Sequence, residues 1–219
     1  KGTIEMKYMT AKEEDILTNR NYIKNGTVID RLLKSLIVSE GVDYNELLIG
    51  DKNAIMVAAR VLSYGKDYSV KYNGETVTVD LSKVKNKDID YTVLEKRKNE
   101  FPFKLPHTDN TITFKLLTQA DEISIEREIN GLKKIKKDSS PEVTTRLKYM
   151  ITSVNGLTEI KDIRDFVDNF LLAKDARALR VEYARVQPDL DLTFTYTDED
   201  GGEEDVDIPI NIGFFWPDA

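Results

Sequence analysis

The stretch Thr3-Ile4-Glu5-Met6-Lys7-Tyr8-Met9-Thr10-Ala11-Lys12-Glu13-Glu14 changes its period halfway along. Ile4, Met6 and Tyr8 alternate with Glu5 and Lys7, the two-residue repeat of a half-buried strand. Thr10 with Glu13 three positions on is a capping box, in which each residue can satisfy an amide that the first helical turn leaves free. A strand therefore runs directly into a capped helix. The same wording returns at Thr111–Leu117 and Thr118-Gln119-Ala120-Asp121, an alternating strand followed by a helix-opening cap.

Within the first copy, the opening helix is expected to end near Asn25-Gly26. Thr27 caps a second helix with one apolar stripe, Ile29, Leu32, Leu33, Leu36 and Ile37, and Gly41 ends it. Asn45–Ile49 reads as a turn. Asp51 can cap a third helix with Ala54, Ile55, Ala58, Val61 and Leu62 inward, closed by Gly65. Tyr68–Tyr72 and Thr76–Leu81 read as strands of a hairpin around Asn73-Gly74, a dipeptide that tolerates the positive φ of a type I′ turn. Ser82–Glu100 is a polar connector, and Phe101-Pro102-Phe103-Lys104-Leu105-Pro106 is extended, because proline disfavours helix at the residue before it.

The second copy repeats this plan. Ile125, Ile129 and Leu132 line its first helix. Ser140-Pro141 opens another, expected to bury Val143, Leu147, Met150, Ile151 and Val154. Thr158–Leu172 carries Ile160, Ile163, Val167, Phe170 and Leu171 in helical register. Asp175 is placed to cap a helix that Pro188 stops. Leu190–Thr197 and Val206–Ile212 form a second hairpin around the acidic tip Asp198–Asp205.

Residue alignment supports a repeat. At an offset of 108, Ile4, Lys7, Thr10 and Glu14 meet Ile112, Lys115, Thr118 and Glu122. At 114, Leu33, Lys34 and Ile37 meet Leu147, Lys148 and Ile151; at 124, Asp51, Ala54, Val57, Asp67 and Tyr72 meet Asp175, Ala178, Val181, Asp191 and Tyr196. The expected fold is α+β: two diverged copies of a strand–helices–β-hairpin unit, pseudo-twofold related. Residues 1–82 form the first copy, 83–110 a connector and 111–219 the second. The alternative is two unrelated units built with similar grammar.

Of the 219 residues, 40% are hydrophobic, enough for a substantial core, and the formal net charge is −7. Nucleic-acid and membrane-surface binders need excess Lys and Arg, so neither is expected in general. The run Lys133, Lys134, Lys136 and Lys137 reads as a solvated helix end. Without cysteine there are no disulfides, thiolate metal sites or Cys nucleophiles. No run approaches the ~18 apolar residues of a membrane helix, and no charged-then-apolar leader is visible.

The catalytic inventory is thin. His107 is the only histidine and lies in the connector. Ser-x-x-Lys occurs at Ser63–Lys66 and Ser82–Lys85 without the partner motifs of serine hydrolases, as chance allows in so Lys-rich a chain. Phosphate-cradling glycine motifs are absent. The acidic tip lacks the ligand spacing of an EF-hand and reads as a solvated tip that repels strand pairing. Glu182 and Arg185 read as a surface pair. No catalytic, cofactor or metal residue is assigned. The aromatics Phe101, Phe103, Phe214, Phe215 and Trp216 are the candidate partner-binding residues, since aromatics dominate interface hot spots; the alternative is that they dock on the chain's own core.

Several of these motifs resemble the baseplate-hub proteins of T-even-like contractile-tailed bacteriophages. They are Tyr8-Met9-Thr10-Ala11-Lys12-Glu13-Glu14, Leu32-Leu33, and Asp51 followed by Arg60-Val61-Leu62-Ser63-Tyr64-Gly65. The second half adds Phe103-Lys104-Leu105-Pro106, Phe114-Lys115-Leu116-Leu117-Thr118 and Phe214-Phe215-Trp216-Pro217. The resemblance implies a structural or assembly component of the baseplate hub that works through contacts with other phage tail proteins. It would then reside in the virion tail, or in the host cytoplasm during assembly. Some members of that family carry paired cysteines in the first hairpin, suggestive of a zinc ribbon; Tyr68–Leu81 has none, so no metal role is carried over. Homo-oligomerisation stays open. The alternatives are a Ser/Lys-type hydrolase, or a generic adaptor binding through Phe214–Trp216.

Overall fold

The computed structural model describes residues 2–94, 98–135, 141–198 and 200–215. The chain is mixed helix and strand with small antiparallel sheets. In order, the elements are α1 (Ala11–Leu17), α2 (Arg20–Lys24), α3 (Val28–Leu36), α4 (Ile49–Tyr64), β1 (Asp67–Tyr72), β2 (Glu75–Asp80), β3 (Phe101–Lys104) and β4 (Thr111–Phe114). There follow α5 (Gln119–Ile135), α6 (Glu142–Met150), β5 (Ile151–Val154), α7 (Ile160–Asn169), α8 (Ala173–Val186), β6 (Thr193–Thr197) and β7 (Glu203–Asp207). Two compact units share these elements, Lys1–Tyr44 with Gly50–Lys87 and Asp189–Ala219, and Asn45–Ile49 with Asp88–Pro188. The repeat boundaries describe sequence similarity; the compact units follow a different division, because the second hairpin lies in the first unit.

In the first unit, Thr3–Met9 is not a full strand. Its pairing is limited to a bridge between Met6 and Ile37, flanked by Lys7 N–H to Leu36 O and Val38 N–H to Glu5 O. That bridge ends α3 at Leu36, short of the expected Gly41, because Ile37 and Val38 are drawn out to pair. The opening helix also breaks: the Asn19 side chain accepts from the amides of Asn21 and Tyr22 and starts α2 as a separate helix. Leu32, Leu33 and Leu36 are buried as the stripe predicts. α4 begins at Ile49, before Asp51, and its buried face is Ile55, Met56, Val57, Ala59 and Arg60; Ala54 and Leu62 face outward instead. The Asn73-Gly74 turn is as expected, with φ of 48° and 85°.

The second unit has one continuous core that includes Leu105, Ile112, Phe114, Ile125, Leu147 and Leu179. Its sheet runs β3-β4-β5, antiparallel throughout. The connector is thus structured at its end: Phe101–Lys104 is an edge strand, where Pro102 costs no ladder bond. Ile151 and Val154 were expected on a helix. They form β5 instead, since 151–154, with β-branched Ile151, Thr152 and Val154, pairs with β4. Val143, Ile160 and Phe170, expected inside, are exposed at 47%, 72% and 60%. Residues 45–49 join this unit because Leu48 bridges Thr118 and the Gln119 amide donates to Leu47 O.

Candidate partner-binding surfaces

The two hairpins of the first unit meet through aromatic rings. Tyr72, at the tip of β1, lies edge-on to Tyr196 at 5.1 Å and to Phe194 at 6.4 Å. Its hydroxyl donates to the Glu204 carboxylate at 2.9 Å, and the Tyr196 hydroxyl donates to Glu75 at 3.1 Å. At the other end of β1, Tyr68 meets Phe214 edge-on at 5.0 Å and donates to Pro209 O. Phe214 and Phe215 are 0% exposed and stand edge-on at 5.1 Å. Both rings are buried within the unit's own core. Trp216 lies outside the described residues.

Phe101 is also buried, stacked on Phe114 at 5.3 Å. Phe103 is half-buried and borders a shallow trough of about 360 Å³ with Lys174, Arg177, Ala178, Val181 and Glu182 of α8. Of the candidate aromatics in the described residues, Phe103 alone retains a face toward solvent.

A larger groove, about 850 Å³, runs between β2 and β6. Consecutive residues Val77–Asp80 and Thr193–Thr195 line it. Successive side chains of a strand point to opposite faces, so strand edges rather than one face border the space. Phe194 and Val84 add half-buried apolar surface, and Lys83 and Lys85 stand at the rim.

Of the residues weighed for chemistry, Lys66, Ser82 and Asp175 are held by structural partners, whereas the Ser63 hydroxyl is buried without a hydrogen-bond partner among the described residues. The Lys66 ammonium pairs with Asp80 at 2.7 Å, and that hydrogen bond raises its pKa, the opposite of what a lysine base needs. The Ser82 hydroxyl also donates to Asp80. Asp175 does not cap α8: it is fully buried and accepts from the His107 amide at 2.9 Å and the Thr108 hydroxyl at 2.8 Å, pinning the turn that holds the only histidine. At the acidic tip the Asp198 carboxylate accepts from the amides of Asp200 and Gly202. No group of three or more His, Cys, Asp or Glu among the described residues is placed to hold a metal ion. Arg185 bridges Glu182 and Asp90 on the surface. Lys133 pairs with Glu142; Lys136 and Lys137 lie outside the described residues.

Sequence reasoning missed Arg60. It is 3% exposed and donates to Gly65 O at 3.0 Å and Asp67 O at 3.1 Å, tying the end of α4 to the start of β1. Burial lowers its pKa, partly offset by Tyr68 and Tyr64. The available signal was position: Arg60 falls on the same helix face as Ile55, Met56 and Ala59.

The two capping boxes are alike in detail. Glu13 accepts from the Thr10 amide and hydroxyl and from Lys7 Nζ at 2.8 Å. Asp121 accepts from the Thr118 amide and hydroxyl and from Lys115 Nζ at 2.8 Å. Burial would raise the Glu13 carboxyl, but its bonds to Lys7 and Thr10 hold it at about 2.

The family described as T4 bacteriophage base plate protein matches residues 1–216, which takes in both boxes, Arg60 and the buried Phe214-Phe215 pair. No curated protein and no solved structure shows significant similarity to the chain.

Proposed function

Since the chain belongs to the T4 bacteriophage base plate protein family, a family of the virion tail, we propose that it is a structural or assembly component of the baseplate hub. It acts in this reading through contacts with other tail proteins, in the finished tail or in cytoplasmic assembly intermediates. The carrying observation is the match over nearly the whole chain. The commitment of Lys66, Ser82 and Asp175 to structural partners supports contact over catalysis. Phe103 and, from the sequence, Trp216 remain proposed contact residues. The test is composition: purified tails and hub intermediates, resolved by electron cryo-microscopy, should contain this chain beside other tail proteins. Its absence from both would overturn the reading.

The proposal includes an origin by duplication. Helix starts correspond at the sequence offsets: α1 with α5 at 108, α3 with α6 at 114, and α4 with α8 at 124. The link between strand and helix is also matched, Lys7 N–H to Leu36 O in one copy and Lys115 N–H to Met150 O in the other, both 2.9 Å. Convergent grammar would supply caps and stripes; it has no reason to supply the same lysine on the same box. An unrelated origin would be favoured if other family members lacked either box.

A further inference from the structure

Asparagine precedes glycine at Asn25, Asn73, Asn130 and Asn155, and we infer that Asn73 is a modification site where the folded chain deamidates itself. Asparagine is thermolabile, most of all before glycine, where no Cβ shields the next main-chain nitrogen. The Gly74 nitrogen attacks Asn73 Cγ. Its proton reaches the departing side-chain nitrogen through solvent, and that nitrogen leaves as ammonia. Water then opens the five-membered imide at one carbonyl to give aspartate, or at the other to give isoaspartate. One water is consumed and one ammonia released, with no change of oxidation state. The inference does not rest on the baseplate reading.

The reaction needs a side chain free to swing and a following amide that is not donating. Three of the four sites lack one or the other. Asn130 and Gly131 lie inside α5, whose ladder takes the glycine amide. At the end of α2 the Gly26 amide donates to Ile23 O at 3.1 Å, within a cap that the Thr27 amide closes on Tyr22 O. Asn155 makes the sharpest comparison, because its turn has the backbone of the Asn73 turn: φ is 49° and 84° at Asn155-Gly156 against 48° and 85° at Asn73-Gly74. The Asn155 side chain is tied at both ends. Its Oδ1 accepts from the Thr111 amide at 2.9 Å, and its Nδ2 donates to Asn110 Oδ1 at 2.8 Å. Asn73 is exposed, and its side chain makes no hydrogen bond among the described residues. The Leu81 amide donates to Lys66 O, so with the observed register Tyr72–Glu75 is the last pair to exchange ladder bonds. The Gly74 amide is thereby left outside the ladder.

The two products differ in what they do to the hairpin. Aspartate before glycine suits the same tight turn. Isoaspartate adds a main-chain carbon to a two-residue loop, so the Tyr72–Glu75 closure cannot keep its geometry. Either product places a new carboxylate beside Glu75 and Glu204, which already accept from the Tyr196 and Tyr72 hydroxyls. Modification at Asn73 thus acts where the two hairpins of the first unit touch.

The experiment incubates the full-length chain in mildly alkaline buffer, then digests it in acid and maps the peptides by mass spectrometry, which reads conversion of amide to acid at each of the four asparagines. In the folded chain Asn73 should convert at least about tenfold faster than Asn155. In guanidinium chloride the tie and the ladders are gone, and the four rates should converge. Folded-state conversion at Asn73 no faster than at Asn155 overturns the inference. So does an Asn73 advantage that persists unchanged in guanidinium chloride, which would trace it to neighbouring sequence and not to the fold. The isoaspartate form, separated by chromatography, should exchange the Glu75 amide hydrogen at least about tenfold faster than the Asn73→Asp variant. Equal exchange in the two would overturn the effect on the hairpin.

Discussion

Two buried polar residues show how this chain uses charge to fix joints. Glu13 ties the Thr10 cap to Lys7, with its pKa at about 2 against a usual 4.5. A depressed carboxylate contributes stability that is present above its unfolded pKa and lost as pH falls through the folded one. The wild-type chain should therefore lose stability between pH about 4.5 and 2, and Glu13→Gln should be less stable at pH 7 but flatter across that window. Urea melts at stepped pH measure both, and parallel profiles would show that Glu13 carries no such linkage. Arg60 joins the end of α4 to β1 with two donors in a fixed fork. Arg60→Ala leaves two carbonyls without their donor and opens a cavity, so a loss of about 2–3 kcal/mol is expected by denaturant unfolding. Arg60→Lys should recover little of it, because an ammonium cannot span both carbonyls as the guanidinium does.

At the scale of elements, local signals decided some features and partners decided others. The hairpin turn was legible because Asn73 and Gly74 must both adopt positive φ. Gly74→Ala should cost about 1–2 kcal/mol for that reason, measurable by thermal melting, whereas a substitution at Gly131, whose φ is not in that region, should not. The boxes at Thr10 and Thr118 were legible for the same local reason. Ile151 and Val154 were not: a three-residue spacing of apolar residues suits a helix face, and only the presence of β4 as a partner makes 151–154 a strand. Asp175 was read as a cap from its position before a helix. Its carboxylate is instead taken by His107 and Thr108, 68 and 67 residues away in sequence, a contact no local pattern announces. The groove was invisible for a related reason, since its walls come from strands whose chemistry is ordinary. The candidate aromatics were noticed by type, and type alone could not separate the buried Phe214 from the partly open Phe103.

At the scale of the molecule, the first unit draws on three separate stretches of chain, whereas the second is nearly one, 88–188 with 45–49 added. This has consequences for truncation. Phe214 and Phe215 are fully buried, so Phe214→Ala should cost about 3–5 kcal/mol, and deleting 213–219 should damage the fold as well as any binding by the tail. A deeper truncation separates two descriptions of the chain. If the repeat boundaries were also folding boundaries, ending the chain at Pro188 would spare residues 1–82 and injure the second half, which loses its hairpin. The contacts argue the reverse. Removing 189–219 takes from the first unit the partners of Tyr68, Tyr72 and the Lys85–Lys87 pairing, while the core of the second, from Phe101 to Val186, loses none of its members. Limited proteolysis of the 1–188 chain should therefore digest the first 87 residues and leave a resistant fragment near 88–188. A resistant fragment near 1–82 instead would show that the first hairpin and helices hold together without the second, and that the chain folds along its repeats.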